Sequence, residues 1–453
     1  MMNESKTIIL AAGQGTRMRS QKPKVLHQVC GKNILNYVLD ASRDSGINEI
    51  AVVVGYQAEE VKTSLSPDVT TILQSEQLGT GHAVLQALPF YSELKGNLVV
   101  LVGDAPLVRP ETIRGLVAEH ERRGHGATVL SANFEDPTGY GRMVKNKAGD
   151  LEKIVEERDA TVSEKRIQEI NSGMYCFDAQ TLILALKELK TDNTQGEYYL
   201  TDVVEIMRGM GKTTGTYVTP DHEDIQAINS KVQLAQAEAL MRKRINAKLM
   251  DVGVIMIDPA ATYIGWDVIV GQDTTLYPGV ILEGKTVIGK DCLIGANSRL
   301  VNMEIGDAVT IHNSTLLDSS VGDNTSVGPY AYVRPGSQIG RHCKVGDFVE
   351  VKNSTMADGA KAAHLTYIGD GDVGENVNLG CGTVFVNYDG KKKYRTTVEK
   401  NAFIGCNTNL IAPVTVKEGA YIAAGSTITD DVPEDSLAIA RARQVNKVGY
   451  LIK

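Results

Sequence analysis

The chain is poor in several features that mark other classes of protein. Aromatic residues make up only 5% of its 453 residues, there is a single Trp, and the six cysteines include no CxxC pair. Scattered cysteines without a His cluster at ligand spacing predict reduced thiols and exclude a disulfide scaffold or a zinc site. No apolar run approaches the roughly 18 residues that a membrane span needs, and the N-terminal stretch lacks a secretory signal pattern. We therefore expect a cytoplasmic protein with no membrane partner.

An excess of basic residues is also absent, because the formal net charge is -8. This balance disfavours a surface for nucleic acid or anionic membrane, although a local basic loop can still hold a small phosphate. Small molecules are therefore the expected partners. The length exceeds one ordinary core and predicts two or more domains.

The first half of the chain alternates short apolar strands with helical patterns. The strands include TIILAA, EIAVVVG and NLVVLVGD, and a helix is predicted near 34 to 45. This alternation predicts an α/β domain over 1–228 with a mostly parallel sheet, whose ligands collect at the carboxyl ends of the strands. A linker helix is predicted over 229–251, because four apolar residues recur there at helical spacing: Leu234, Ala237, Met241 and Ile245.

A six-residue repeat dominates the part of the chain from 252 to 453. Units such as VGDNTS, VGPYAY, VRPGSQ and IGRHCK follow one another, each opening on an aliphatic residue that is usually followed by Gly. This period predicts a parallel β-helix with the aliphatic residue pointing inward, of nine or ten coils over 265 to 434. The repeat is interrupted near 354–368, the run with His364, and near 385–400, a basic run; we expect surface loops there.

The stretch LAAGQGTRMRSQKPKVL at 10–26 follows the first strand. It contains no GxxxxGK[ST], and Met18 stands where a dinucleotide fingerprint needs its third glycine. Its glycines let backbone N–H groups approach a phosphate, and Arg17 and Lys24 can neutralise a polyphosphate. A tight turn with solvated basic residues explains the same spacing.

Several ordered motifs resemble one family. LAAGQGTRM and KPKVL are similar to the signature of sugar-nucleotide pyrophosphorylases, and LQSEQLGTGHA, VGDAPL, TGYGR, EINSG and QGEYYLTD match one branch of them. With the hexapeptide units and KAAHLTYIGD at 361–370, essentially the whole chain resembles the bacterial bifunctional N-acetylglucosamine-1-phosphate uridylyltransferases and glucosamine-1-phosphate N-acetyltransferases. The resemblance implies a Rossmann-like nucleotidyltransferase domain, a linker helix and a left-handed parallel β-helix, which together make UDP-N-acetylglucosamine for peptidoglycan and other envelope polymers.

The resemblance also implies a uridylyl-transfer site, where UTP and N-acetylglucosamine 1-phosphate react. Arg17 and Lys24 are implied to neutralise phosphate charge there. Asp104 and Asn229 resemble the two residues that bind Mg²⁺ in this family. The residues implied to hold the nucleotide are Leu10, Ala11, Ala12, Gly13, Lys24, Gln74, Gly79, Thr80, Asp104 and Asn229, and those implied to hold the sugar are Gly141, Glu156 and Asn171. Without the resemblance, Asp104 is also explained as a helix or turn cap and Asn229 as a solvated helix residue.

An acetyl-transfer site for acetyl-CoA and glucosamine 1-phosphate is implied in the repeat domain. The attacking amine must lose a proton, which requires a base near neutral pKa, and His364 fits that need. The implied sugar-phosphate residues are Arg334, Lys352, Tyr367 and Asn378, and the implied acetyl-CoA residues are Cys381, Asn387, Tyr388, Lys393, Cys406, Ala424 and Arg441. A lone His is also common as a structural residue, and Lys393 and Arg441 are also explained as solvated charges.

Three positions in the repeat domain depart from the family pattern. Cys381 and Cys406 stand where relatives carry Ala and Ser, and Ala363 replaces a more usual Gly before the histidine. A thiol near acetyl-CoA raises the alternative of an acyl-enzyme. Direct attack assisted by His364 needs no such intermediate, so we expect none.

Other functions stay open at this point. The β-helix can serve only for assembly, the molecule can be a sugar-phosphate sensor, and the nucleotide and sugar can be another pair, such as TTP with glucose 1-phosphate. β-helices of this acyltransferase type usually form threefold assemblies, so the family resemblance implies a homotrimer.

Overall fold

The computed structural model describes residues 4–450. The chain forms two compact units, Met1–Met241 and Arg242–Lys453, and the division falls inside the long helix that was predicted as the linker. All six cysteines are free thiols, as predicted from their spacing.

The first unit is an α/β domain. Its strands are β1 Ser5–Ala11, β2 Gln28–Val29, β3 Lys32–Asn33, β4 Ile50–Val54, β5 Thr70–Leu73, β6 Asn97–Val102, β7 Ala127–Asn133, β8 Arg142–Lys145, β9 Leu151–Val155, β10 Glu169–Asp178 and β11 Thr214–Val218. Its helices are α1 Ile34–Asp44, α2 Ala58–Thr63, α3 Thr80–Gln86, α4 Leu88–Tyr91, α5 Pro110–Arg123, α6 Ala179–Leu186 and α7 Asp202–Gly209, followed by α8 Lys231–Asp251. The helix predicted near 34 to 45 is confirmed as α1.

The main sheet has the strand order β11-β7-β10-β6-β1-β4-β5. Strand β1 pairs in parallel with β4 on one side and β6 on the other, and β10 runs antiparallel between β6 and β7. The chain first builds outward from β1 through β4 and β5, then returns to place β6 on the opposite side of β1. Such a reversal opens a crevice at the carboxyl ends of the flanking strands. Buried aliphatic side chains fill both faces of this sheet.

Helix α8 begins at Lys231 and ends at Asp251, close to the predicted bounds. Three of the four residues that define its apolar spacing are buried, namely Ala237, Met241 and Ile245. Asn229 lies just before the helix and therefore belongs to the preceding turn.

The second unit is a parallel β-helix of hexapeptide repeats with three faces. The first face comprises Ile255–Met256, Thr275–Leu276, Leu293–Ile294, Thr310–Ile311, Ser326–Val327, Lys344–Asp347, Lys361–His364, Asn378–Leu379, Phe403–Ile404, Tyr421–Ile422 and Leu437–Ala438. The second comprises Tyr263–Ile264, Ile281–Glu283, Arg299–Val301, Thr315–Leu317, Tyr332–Val333, Glu350–Lys352, Tyr367–Gly369, Val384–Val386, Asn409–Ile411 and Thr427–Ile428. The third comprises Ile269–Val270, Val287–Ile288, Glu304–Ile305, Ser320–Val321, Gln338–Ile339, Thr355–Met356, Gly371–Val373, Thr396–Val398 and Val414–Val416.

The faces hold eleven, ten and nine strands within residues 4–450, in agreement with the nine or ten coils predicted. The aliphatic residue of each unit is buried, as Val333, Ile339 and Val345 illustrate at six-residue spacing. Asn and Asp residues occupy several corners with positive φ, for example Asn324, because these residues tolerate the left-handed conformation.

The prediction of a loop at 354–368 is wrong. Strands continue through this run, and Lys344 pairs with Lys361 after an ordinary coil of 17 residues. The buried positions Met356, Ala362 and Ile368 keep the six-residue spacing. The pattern looked interrupted because the small Ala362 fills an inward position that an aliphatic residue usually occupies.

The prediction of an inserted loop at 385–400 is confirmed. Gly371 pairs with Thr396, a separation of 25 residues where neighbouring coils use 17 or 18. The extra residues fold back on themselves, since Tyr388 and Lys393 form an antiparallel bridge. The basic run therefore extends outward from the coil.

Candidate active sites

The carboxyl edge of the main sheet gathers the residues predicted for nucleotide binding. Gly13 follows β1, Gln74 follows β5 and Asp104 follows β6, and the reversal of strand order brings these ends together. They line a cavity of about 320 Å³. The predicted residues in its wall are Leu10, Ala11, Ala12, Gly13, Lys24, Gln74, Gly79, Thr80 and Asp104.

Lys24 connects the two residues predicted to bind a metal. Its Nζ donates to Oδ2 of Asp104 and, over 3.0 Å, to Oδ1 of Asn229. Asn229 reaches this position because the backbone N–H of Ile228 donates to the Asp104 carbonyl over 2.8 Å. Two oxygens from distant parts of the chain thus surround one positive charge.

Such an oxygen pair suits a hard divalent cation that takes its remaining ligands from phosphate and water. Within residues 4–450 there is no cluster of three or more His, Cys, Asp or Glu side chains that could hold a metal ion by protein ligands alone. The donor set of Asp104 and Asn229 therefore fits a cation that arrives with a phosphate ligand.

The glycine-rich turn before Lys24 packs directly against that residue. Gly15 has a φ of +62°, and a Cβ atom there would lie 2.7 Å from Cβ of Lys24. A side chain at position 15 would displace Lys24, so glycine is required for steric as well as conformational reasons. Arg17 lies exposed in the following turn, Thr16–Met18, and does not line the cavity.

The three residues predicted for the sugar lie together. The backbone N–H of Asn171 donates to the carbonyl of Gly141 over 2.9 Å, and a Cβ on Gly141 would lie 3.4 Å from Oε1 of Glu156. Strand β10 has a register shift between Asn171 and Tyr175, where Gly173 packs near Val102 of the nucleotide cavity. The irregularity places Gly173 beside the nucleotide cavity, two residues after Asn171 of the sugar group. The predicted sugar residues and the predicted nucleotide residues therefore adjoin, because a bulge changes the direction of the side chains around it.

Carboxylates crowd the sugar cluster from one side. Burial raises the pKa of Glu156, and the charges of Asp159 and Asp202 raise it further. Burial also raises the pKa of Asp202 to about 6, with added repulsion from Glu205 and Asp159. The Glu156 carboxylate is therefore an acceptor whose ionisation is opposed by its surroundings.

One corner of the β-helix collects the predicted base and several acetyl-CoA residues. The register pairs Asp347 with His364, and its continuation through later coils aligns His364 with Cys381, Cys406 and Ala424. We call this column the histidine corner. Adjacent strands are about 4.8 Å apart, so His364 to Ala424 spans about 14 Å along one edge.

His364 is held by a carboxylate that the sequence analysis missed. Its Nδ1 lies 2.5 Å from Oδ1 of Asp347, and this hydrogen bond holds the pKa of Asp347 below its usual range. The ionised carboxylate can only accept, so Nδ1 carries the proton and Nε2 is the ring atom left to act as a base. Half of the His364 side chain is exposed, which leaves the ring accessible.

The next corner of the same coils carries a polar cluster around Asp370. Lys352 Nζ lies 3.3 Å from Oδ2 of Asp370, and Asn353 and Asn387 also donate to this carboxylate. Burial opposes ionisation, but these three hydrogen bonds keep the pKa of Asp370 below its usual range. The neighbouring ammonium of Lys352 lowers the pKa of Lys393, which reaches back from the inserted loop.

The remaining predicted residues of this domain lie near these corners. Arg334 pairs with Glu350 over 2.9 Å, and Tyr367 follows Glu350 in the outward column of the second face. Asn378 lies on the first face, in register with Lys361.

Tyr388 and Arg441, both predicted to contact acetyl-CoA, are exposed. Tyr388 lies in the inserted loop, and Arg441 lies beside Gly425, which follows Ala424 of the histidine corner.

Comparison with known proteins identifies both halves of the chain. Residues 7–171 match the MobA-like NTP transferase domain, and residues 267–302, 318–353 and 395–430 match bacterial transferase hexapeptide repeats. The chain is 58% identical over 445 residues to the bifunctional protein GlmU of Alkaliphilus oremlandii, covering 98% of this chain and 97% of that protein. The chain belongs to the GlmU family. The GlmU proteins of Clostridioides difficile and Brevibacillus brevis are 53% and 52% identical to it, over 99% and 100% of this chain and 97% and 98% of theirs.

GlmU membership and the two matched domains establish a bifunctional transferase. The chain combines N-acetylglucosamine-1-phosphate uridylyltransferase and glucosamine-1-phosphate N-acetyltransferase activities, which produce UDP-N-acetylglucosamine for the cell wall. Small nucleotide and acyl substrates and dependence on a divalent metal agree with this family. Across residues 4–450, no helix has both the length and the apolarity to cross a bilayer.

Proposed function

We propose that the cavity at the carboxyl edge of the main sheet binds UTP and is the site of uridylyl transfer. The residues proposed to act in this reaction are Lys24, Arg17, Asp104 and Asn229. The observation that supports this assignment is the contact of Lys24 Nζ with oxygens of both Asp104 and Asn229. These two oxygens stabilise the positive charge of Lys24 within the cavity. The site is thus organised to hold cationic charge beside a triphosphate.

In this reaction a 1-phosphate oxygen of N-acetylglucosamine 1-phosphate attacks the α-phosphorus of UTP, and pyrophosphate leaves. Gly141, Glu156 and Asn171 hold the sugar. Lys24 neutralises phosphate charge from within the cavity, and Arg17 does so from the exposed turn Thr16–Met18. Such a displacement depends on positioning and charge neutralisation more than on an acid or base.

Asp104 and Asn229 are proposed to hold Mg²⁺. When bound, the ion would supply positive charge that neutralises the charge developing on pyrophosphate. Lys24 donates to the same two oxygens, so the ammonium and the metal would compete for them. The flexible stem of Lys24 allows the ammonium to turn toward the phosphates.

His364 is proposed as the general base of acetyl transfer, with Asp347 as the residue that positions it. Nε2 takes a proton from the amine of glucosamine 1-phosphate as the nitrogen attacks the thioester carbonyl, and the CoA thiolate leaves. Asp347 fixes the tautomer and stabilises the imidazolium that forms. Cys381, Cys406 and Ala424 line the same corner and, with Arg441, provide the path for CoA.

The polar cluster around Asp370 is proposed to orient the sugar phosphate. Lys352 and Lys393 bring two ammonium groups side by side, which favours a bound phosphate because their mutual repulsion is then relieved. Arg334, Tyr367, Asn378, Asn387 and Tyr388 would complete the contacts to phosphate, sugar and acetyl group.

We also propose a homotrimer, because the β-helix exposes an apolar ridge beside the histidine corner. Tyr330, Phe348 and Leu365 occupy equivalent corners of successive coils, and their side chains are 56%, 58% and 57% exposed. The rings of Tyr330 and Phe348 stack with centroids 5.4 Å apart. Large apolar residues are costly at left-handed corners, where they also face water, so a second copy of the chain is the partner that fits.

Replacement of Phe348 by Asn should weaken the trimer without disturbing the coil. Asn tolerates the φ of +56° at this corner better than Phe, as Asn324 does elsewhere in the helix. Light scattering at fixed concentration should show smaller species for Phe348→Asn, and thermal unfolding should confirm a folded chain. A monomeric wild type would contradict the proposal, and so would a variant trimer as stable as the wild type.

The two activities can be separated by removing the metal. Purified protein given acetyl-CoA and glucosamine 1-phosphate should release CoA thiol, and addition of UTP should then release pyrophosphate. Excess chelator should stop pyrophosphate release and leave thiol release unchanged. The reason is that Asp104 and Asn229, whose oxygens are the proposed metal ligands, belong to the uridylyl-transfer site only. Restoration by Mg²⁺ supports the assignment of that ion, whereas chelator-resistant pyrophosphate release would contradict it.

A further inference from the structure

Gln74, a wall residue of the nucleotide cavity, is held in one orientation. It is 3% exposed, and its Nε2 lies 3.2 Å from the carbonyl oxygen of Gly79 and 3.1 Å from Nδ1 of His82. A carbonyl oxygen only accepts, so the amide nitrogen must face Gly79. Among residues 4–450, no hydrogen bond reaches Oε1 of Gln74. The acceptor end of this buried amide is therefore the end left for a ligand.

The contact with Gln74 also determines which ring nitrogen of His82 carries the proton. Nδ1 faces an N–H of Gln74 and must accept, so in the neutral ring the proton is on Nε2. Nε2 of Gln86, one turn later in α3, lies 3.0 Å from Nε2 of His82, and a half-turn of that terminal amide presents its oxygen to the ring proton. The ring also lies 6.4 Å from that of Tyr198. Contacts at both nitrogens thus fix the histidine.

We infer that His82 makes Gln74 a one-way acceptor and thereby selects uracil over cytosine in the nucleotide. This inference rests on the proposed binding of UTP in the cavity. Uracil carries a proton on N3, which an acceptor can bind, whereas N3 of cytosine is itself an acceptor and would face the Gln74 oxygen without a hydrogen. A freely turning glutamine could serve either base, because its amide offers a donor at one end and an acceptor at the other.

The selection follows from the cost of a mismatch in a buried site. The two amide protons of Gln74 are directed at the Gly79 carbonyl oxygen and at Nδ1 of His82. If the amide turned by 180° to suit cytosine, its oxygen would face these two acceptors and no hydrogen bond would form with either. Binding sites reject an analogue most strongly when their own buried polar groups would be left unpaired. Selectivity is therefore expected to depend on His82 as well as on Gln74.

The experiment compares kcat/KM for UTP and CTP, measured as pyrophosphate release with N-acetylglucosamine 1-phosphate. His82→Leu removes the acceptor at Nδ1 at similar volume, and His82→Asn keeps an oxygen close to that position. We expect the ratio of UTP to CTP to fall about 10- to 100-fold in His82→Leu. The Asn variant should retain most of the wild-type ratio.

Each outcome bears on a separate claim. Absence of pyrophosphate release from UTP by the wild type would refute the proposed function. Normal release with an unchanged UTP to CTP ratio in His82→Leu would refute the role of His82 alone. If His82→Leu fails to fold, as judged by thermal unfolding, Gln86→Leu provides the test, because removing the partner of Nε2 frees the tautomer and should lower the same ratio.

Discussion

Replacement of His364 by Ala should lower acetyl transfer about 10²- to 10⁴-fold. The amine of glucosamine 1-phosphate is protonated at neutral pH, and Nε2 of His364 is the proposed group that removes its proton. The measurement is CoA thiol release from acetyl-CoA that depends on glucosamine 1-phosphate, with UTP left out. Uridylyl transfer to supplied N-acetylglucosamine 1-phosphate should stay unchanged in the same preparation.

Asp347→Asn separates a catalytic histidine from a structural one. Asn can still accept from Nδ1, so the ring keeps its orientation, but the negative charge that stabilises the imidazolium is gone. Thiol release should therefore be slower in Asp347→Asn although the chain stays folded, because the imidazolium that forms during the transfer is no longer stabilised by a carboxylate.

Two results would contradict this account of acetyl transfer. Unchanged thiol release in His364→Ala would leave the β-helix without a base at this corner. Trapping of labelled acetyl on Cys381 or Cys406 at a rate that matches turnover would replace direct attack by an acyl-enzyme. The second result is worth seeking, because both thiols lie in the histidine corner and are at least partly accessible.

The β-helix could be predicted from sequence because its inward positions recur every sixth residue, a period that only this type of coil explains. The sheet of the first unit was harder. Apolar runs marked β1, β4 and β6, but nothing in such a run encodes strand direction, so the antiparallel β10 was not predicted. Its register shift at Asn171, which redirects the sugar cluster, is likewise a tertiary feature.

The residues of the candidate sites likewise divide into those that the sequence could identify and those that only the tertiary structure brings together. Residues within the motifs KPKVL and KAAHLTYIGD, such as Lys24 and His364, could be named from the family resemblance and from their chemistry. Asp347 was missed because its partner lies 17 residues later, one coil further on, and only the register of the strands brings them together. Asp370 closes the quoted motif KAAHLTYIGD, yet its role as a shared acceptor depends on Asn387, which comes from the next coil.

Replacement of Asp104 by Ala should abolish UDP-N-acetylglucosamine formation, with a loss of at least about 10³-fold, because several kcal/mol of charge stabilisation disappear with the proposed metal. Asp104→Asn keeps an oxygen ligand and should lose less. Acetyl transfer should be unchanged in both variants. Loss of both activities in a folded variant would contradict separate sites.

The effect of Asp104→Ala on folding must be measured with its effect on activity. Lys24 and Asp104 expose only 14% and 16% of their side chains, so removal of the carboxylate leaves a largely buried ammonium with Asn229 alone. Breaking such a pair destabilises a protein more than replacing both partners does. The double variant Lys24→Met/Asp104→Ala should therefore regain thermal stability relative to Asp104→Ala but no uridylyl transfer. Recovery of stability without activity would show that the pair serves the reaction and not the fold.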